Sequence, residues 1–215
     1  MPACGLVDFV TARLSDFPAI CRMPDGSIRA GRPVPAAILP GSFNPLHHGH
    51  TTLAAAAGRV LGVAVEYELS LANVDKPDLS ADELTDRLAR FTGIGPVWVT
   101  RAATFAAKAE LFPGTSFVLG HDTAVRLIDP KYYGGDPAGR DAGLRRLLGR
   151  RCRVVVGGRV GPDGVFRTWD ANAAGTEFGR LFVPLSATDF RADVSSTALR
   201  GAAATSSLSL PRTPT

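Results

Sequence analysis

Cysteine is too scarce in this chain to hold it together. Three occur in 215 residues, Cys4, Cys21 and Cys152, an odd number spread far apart. No pair has the close spacing of zinc ligands, and no disulfide framework follows. A reducing cytoplasm is the simplest compartment for such a chain. Long apolar runs are also missing: no stretch approaches the roughly 18 residues of a membrane-spanning helix, so no membrane partner is expected. Met1 to Val10 contains Asp8 and lacks a basic start followed by a long apolar run, so a signal peptide is not expected. Arginine is dispersed, with no basic run carrying interleaved aromatics, so nucleic acid is not an expected partner. There is no carboxylate cluster of the kind that builds an all-protein metal cage, and no internal repeat.

What is present is the balance of a globular protein, 45% hydrophobic and 20% charged residues. The formal net charge of +4 suits an anionic substrate. Leu6 to Leu14 has the pattern of a short amphipathic helix. Met23 to Pro35, with Pro24-Asp25-Gly26 as a turn, reads as a connector. From Ala36 onward strands and helices alternate. Ala36–Pro40, Ala64–Leu71, Val97–Thr100, Ser116–Leu119, Cys152–Val156 and Arg180–Leu185 read as strands. Thr51–Leu61, Ser80 to about Phe91, Thr104–Leu111, Asp122–Ile128 and Ala142–Leu148 read as helices, Ser80 and Glu83 forming a capping box. Pro162-Asp163-Gly164 predicts a small hairpin with Val165 to Trp169. The expected fold class is α/β, a doubly wound parallel sheet. The expected organisation is an N-terminal helix and connector over 1–35, one domain over 36–200, and a disordered tail over 201–215.

In such sheets ligands bind beyond the C-terminal strand ends. Gly41-Ser42-Phe43-Asn44-Pro45-Leu46-His47-His48-Gly49-His50 lies there, between a strand and a helix. Gly41 permits a tight turn. The helix that starts near His48 aims unpaired N–H groups and a positive dipole end at the same place. His47 and His50, three apart, fall on one side of the helix start, where two imidazoles suit phosphate oxygens. His48 reads as a bystander. Near the C-terminus, Val194-Ser195-Ser196-Thr197-Ala198-Leu199-Arg200 sets Arg200 one helical turn from the Ser196 cap, a second potential phosphate clamp.

The first segment resembles the Gly-x-Phe-Asn-Pro-x-His-x-Gly-His signature of the nucleotidyltransferase superfamily. That family includes nicotinamide mononucleotide, nicotinate mononucleotide and pantetheine-phosphate adenylyltransferases and several cytidylyltransferases. Asn44, where bacterial members more often carry Asp, resembles the eukaryotic-type nicotinamide mononucleotide enzymes. The second segment resembles the family's Ile-Ser-Ser-Thr-x-Ile-Arg motif, which binds the β- and γ-phosphates. Glu68 to Gly135 is also similar to a cytidylyltransferase-like subgroup of bacteria and plants.

The resemblance, which covers about residues 36 to 200, implies a Rossmann-like fold and transfer of a nucleoside monophosphate to a phosphate-bearing acceptor. AMP from ATP and a mononucleotide acceptor such as nicotinamide or nicotinate mononucleotide come first. CTP with a phosphorylated small alcohol, a non-catalytic nucleotide-binding regulatory module, and, last, a fragment of a tRNA-charging enzyme are the alternatives. His47, His50 and Arg200 are the expected catalytic residues. Gly41, Ser42, Phe43, Asn44, Gly49, Gly120, Asp122, Ser196 and Thr197 are expected to bind the nucleotide, and Mg²⁺ is expected to arrive with it. Asp122, after the strand Ser116–Leu119, is read as a ribose or amide contact, with a helix cap as the alternative. Lys76, Arg101 and His121, at strand ends, are candidate acceptor contacts. Lys108 is read as exposed, Trp98 as core, and Trp169 as either lid or packing. Lys131 to Gly135 is a candidate cover for a base. A homo-oligomer is compatible with the sequence.

Overall fold

The structure is a computed structural model that describes residues 10, 12–72, 79–161 and 163–190. Ten strands and five α-helices fall within them: β1 (Ala19–Arg22), β2 (Ile28–Ala30), β3 (Ala37–Pro40), α1 (His48–Leu61), β4 (Val65–Ser70), α2 (Ala81–Ala89), β5 (Val97–Thr100), α3 (Phe105–Leu111), β6 (Ser116–Gly120), α4 (His121–Ile128), α5 (Pro137–Gly149), β7 (Arg153–Gly157), β8 (Arg159–Val160), β9 (Phe166–Arg167) and β10 (Phe182–Pro184). Residues 12–16 are helical as well, within and just beyond the expected first helix.

Eight strands form one sheet in the order β10-β7-β6-β3-β4-β5-β1-β2. From β10 to β5 every neighbouring pair is parallel. Beside β3 the chain order reverses: β4 and β5 extend to one side, β6, β7 and β10 to the other. Strand alternation sorts the core into two. Leu39, Tyr67, Leu69, Val97, Val99, Val118 and Val155 pack with Leu53, Ala57, Leu84 and Leu88 of α1 and α2. Ile38, Trp98, Phe117, Leu119, Val154 and Val156 pack with Ala109, Ala124, Leu144 and Leu147 of α3, α4 and α5. Helices therefore cover both faces, as buried parallel strands require.

Local chemistry explains the element ends. Gly62 closes α1 in the left-handed region at φ 69, where a side chain would be strained. Ser80 and Glu83 form the expected capping box on α2, and Thr104 caps α3 by accepting the Ala107 N–H. Asp163 and Gly164 lie between β8 and β9, which pair antiparallel.

The expected connector over 23–35 is corrected in part. β1 pairs antiparallel with β5 and with β2, so the stretch before Ala36 extends the domain's sheet. The strands are only four and three residues long, too short for a clear period of two. Pro24-Asp25-Gly26 is the turn between them, with Gly26 at φ 87 and the Asp25 carboxylate accepting the Ser27 N–H. Arg32 secures this edge through a bidentate bond to Glu66 of β4, at 2.9 Å on both arms. Trp98 Nε1 donates to the same carboxylate at 2.6 Å.

Candidate functional site

Gly41 follows the C-terminal end of β3, and its N–H donates to the Glu68 carbonyl of β4 at 3.0 Å. The loop then turns back on Phe43, which is 1% exposed and meets Tyr67 and Phe91 edge-on at centroid distances of 5.7 and 5.0 Å. A Cβ on Gly41 would lie 2.9 Å from the Phe43 ring, so the loop closes this tightly only with glycine there. Phe43 itself adopts φ 44, and burial of its ring offsets that backbone cost. Phe43, expected as a nucleotide contact, is thus the core anchor of the loop, while Ser42 and Asn44 on either side are exposed. Arg87 of α2 supplies a second anchor, donating to the Ser42 carbonyl at 3.2 Å and to Glu83 at 3.1 Å.

His47 is the N-cap of α1, in extended conformation. Its N–H donates to His50 Nδ1 at 3.2 Å, and its carbonyl accepts the His50 N–H at 2.9 Å. The two rings stack, centroids 3.8 Å apart and planes at 30°. Burial, then the neighbouring His47, pushes the His50 pKa down to about 4 from 6.5. His50 is therefore neutral near pH 7. With Nδ1 accepting, its proton sits on Nε2, which leaves a neutral N–H donor at the helix start. His48 is exposed, and its Nε2 lies 2.9 Å from Thr52 Oγ1. Gly49 lies in the first turn of α1.

Gly120 ends β6, the other strand beside β3, and is the N-cap of α4. Asp122 is therefore in the first turn rather than at the cap, where a carboxylate favours the helix dipole. Its exposed carboxylate pairs with Arg159 of β8. His121 packs edge-on against Trp169 at 5.4 Å, and burial lowers its pKa. Trp169 is 5% exposed and packs toward Phe182, which answers the open choice in favour of packing. The loop around Tyr132 and Tyr133 is likewise structural in part: Tyr133 Oη donates to the Leu127 carbonyl at 2.8 Å. Arg101 is exposed just after β5.

One reading is overturned. Lys108 is buried, not exposed, because its ammonium meets the Glu68 carboxylate at 2.7 and 2.8 Å and the Ala102 carbonyl at 2.8 Å. Glu68, Thr100, Arg87 and Arg159 had no sequence signal of their own.

Lys76, Ser196, Thr197 and Arg200 lie outside the described residues, as does the tail over 201–215. Phe190, the last described residue, crowds with Leu53 of α1 over Gly157 at the end of β7. A recess of about 630 Å³ lies elsewhere, along α1 toward the start of β4, lined by Thr51, Gly58, Arg59, Val63 and Ile94 among others. It contains none of the motif residues, and it reaches the wrong edge of the sheet for a strand-end site. Among the described residues, no group of three or more His, Cys, Asp or Glu side chains could hold a metal ion, and no helix is long and apolar enough to cross a membrane. No protein-family model and no curated protein matches the sequence.

Proposed function

We propose that this chain is a nucleotidyltransferase with a doubly wound, Rossmann-like sheet. In this reading it transfers AMP from ATP to a phosphate-bearing acceptor of the mononucleotide class and releases pyrophosphate. The observation that carries the reading is the position of His47 and His50. Their stacked rings start the helix that follows β3, at the point where strand order reverses. Numbered from β3, the parallel strands run 3-2-1-4-5-6, the order whose switch-point crevice receives nucleotides. Gly41 after β3 and Gly120 at the end of β6 flank that crevice.

The chemistry follows from these groups. An acceptor phosphate oxygen attacks the α-phosphorus of Mg²⁺-bound ATP. The bond from that phosphorus to the bridging oxygen breaks, and pyrophosphate carries the electron pair away. The nucleophile is already an anion, so neither a base nor a covalent enzyme intermediate is required. Positioning and charge stabilisation supply the rate. His47 and the neutral Nε2–H of His50 hold phosphate oxygens beside the α1 dipole. Ser196, Thr197 and Arg200 clamp the leaving pyrophosphate.

The test is pyrophosphate release by the purified protein with ATP or CTP and a panel of phosphomonoester acceptors. ATP-dependent release with a mononucleotide is expected. Release only with CTP and a phosphorylated alcohol moves the reading to a cytidylyltransferase. Tight nucleotide binding without release from any pair overturns catalysis.

A further inference from the structure

Glu68 is 1% exposed at the site's edge of the sheet, and four bonds converge on it. Its carbonyl accepts the Gly41 N–H. Its carboxylate accepts two bonds from Lys108 Nζ and one from Thr100 Oγ1, the last at 2.6 Å. Lys108 Nζ also donates to the Ala102 carbonyl at 2.8 Å, and Thr100 Oγ1 accepts the Ala102 N–H at 3.2 Å. Both backbone groups of Ala102 are thereby tied to the cluster, immediately after Arg101.

Stability alone need not account for this arrangement. A buried ion pair must offset a desolvation cost of several kcal/mol per ion, and neutral or apolar replacements are often equally stable. What an apolar replacement lacks is the hydrogen bond to the Ala102 carbonyl. We infer that Glu68, Lys108 and Thr100 are positioning residues, which hold Arg101 as the cation for the acceptor's phosphomonoester at a set distance from the triphosphate loop. The inference rests on the proposed function. β5 and β3 are separated by β4 alone, a lateral offset of two strand spacings or about 10 Å, and the register sets Gly41 level with Val99, two residues before Arg101. Glu68 sits on the strand between them and bonds to both sides: to Gly41 through its backbone, and to the Arg101 turn through its side chain. A phosphate bound by a guanidinium on that turn faces the same edge as the phosphates at His47 and His50.

A double-mutant cycle on binding tests this, with ribose 5-phosphate as the probe. Arg101→Ala in the wild-type background is expected to weaken its binding about tenfold, as for a lost charge-assisted bond. Lys108→Met with Glu68→Gln keeps an acceptor for Thr100 and is expected to fold and to weaken binding similarly. Adding Arg101→Ala to that background is then expected to cost less than about twofold more, because positioning and contact are one effect. A full Arg101→Ala loss in the folded background overturns the inference, since a merely structural cluster leaves Arg101 working. So does an absence of ribose 5-phosphate binding by the wild-type protein. Thr100→Val, which cuts the ties to the Ala102 N–H and to the Glu68 carboxylate but leaves Lys108 on Glu68, repeats the cycle with the ion pair in place, and additivity there overturns the inference as well. In steady-state assays the acceptor KM is expected to rise with the binding loss while the ATP KM holds. Pyrophosphate release failing for every pair overturns the proposed function, whereas the binding cycle needs no turnover and reads the positioning role separately.

Discussion

His50 Nδ1 accepts the backbone N–H of His47 at 3.2 Å while the two rings stack 3.8 Å apart. One imidazole thus sets the other's place at the helix start, and the pair acts as a unit. Replacing His47 with Ala removes one donor and the stacking partner together. Turnover is expected to fall by roughly two orders of magnitude or more, as for loss of a transition-state donor, with the ATP KM changed far less. Initial rates of pyrophosphate release measure it, and wild-type turnover in the variant would remove the histidines from the mechanism.

Burial of His50, with His47 beside it, predicts a pH dependence of folding. The folded chain holds the His50 pKa at about 4, and the ordinary value is 6.5. Between these values the unfolded chain binds a proton that the folded chain refuses. The associated stability is fully present above pH 6.5 and is lost as pH falls through about 4. With a discount for partial exposure, its size is on the order of 2 kcal/mol. Urea unfolding at pH 7 and pH 4.5 reads it. His50→Gln is expected to lose less stability than the wild type between the two, and parallel losses would contradict the assignment.

Gly41 and Phe43 predict a coupled pair. A methyl group on Gly41 would stand 2.9 Å from the Phe43 ring, itself fixed between Tyr67 and Phe91. Gly41→Ala is expected to cost about 1–3 kcal/mol, the range for overpacking, and to weaken ATP binding because the loop must shift. Phe43→Leu leaves room for the methyl group. The double variant is therefore expected to be more stable than the sum of the two single losses, by at least about 0.5 kcal/mol. Thermal unfolding of the four proteins checks it, and simple additivity would mean the loop relaxes elsewhere.

The contrast between Gly41 and Glu68 shows why the site was only partly legible. Gly41 to His50 announces itself because a strand, a glycine and two spaced histidines occur consecutively. The parallel strands other than β4 announce themselves through short runs of consecutive apolar residues. Glu68 and Lys108 are 40 residues apart, and neither sits in a local pattern, so only the β4–α3 packing reveals that each neutralises the other. Ala19–Arg22 escaped for a related reason: four residues carry no clear periodicity, and one of their two partners, Val97–Thr100, is distant in sequence. Phe43 reads as part of a binding motif and turns out to hold that motif down from below. Local signals thus point to the candidate loop, while the long-range bonds that hold it in place became visible only in three dimensions.

The Asp122–Arg159 pair separates a binding carboxylate from a structural one. Both side chains are about half exposed, 56% and 48%, and ion pairs in that setting contribute about 0.2–1 kcal/mol. Breaking the pair from the arginine side should therefore cost little stability and release Asp122 for a ribose hydroxyl. Arg159→Ala is expected to change unfolding free energy by less than about 1 kcal/mol and to leave nucleotide affinity equal or tighter. Asp122→Asn removes the charged acceptor itself, and is expected to weaken ATP binding about tenfold, since hydrogen bonds to charged groups contribute about 1.5–3 kcal/mol. Calorimetric titration of the two variants with ATP decides between the roles. If both weaken binding equally, the carboxylate serves to hold β8 in place, and the nucleotide contact passes to another group at the end of β6.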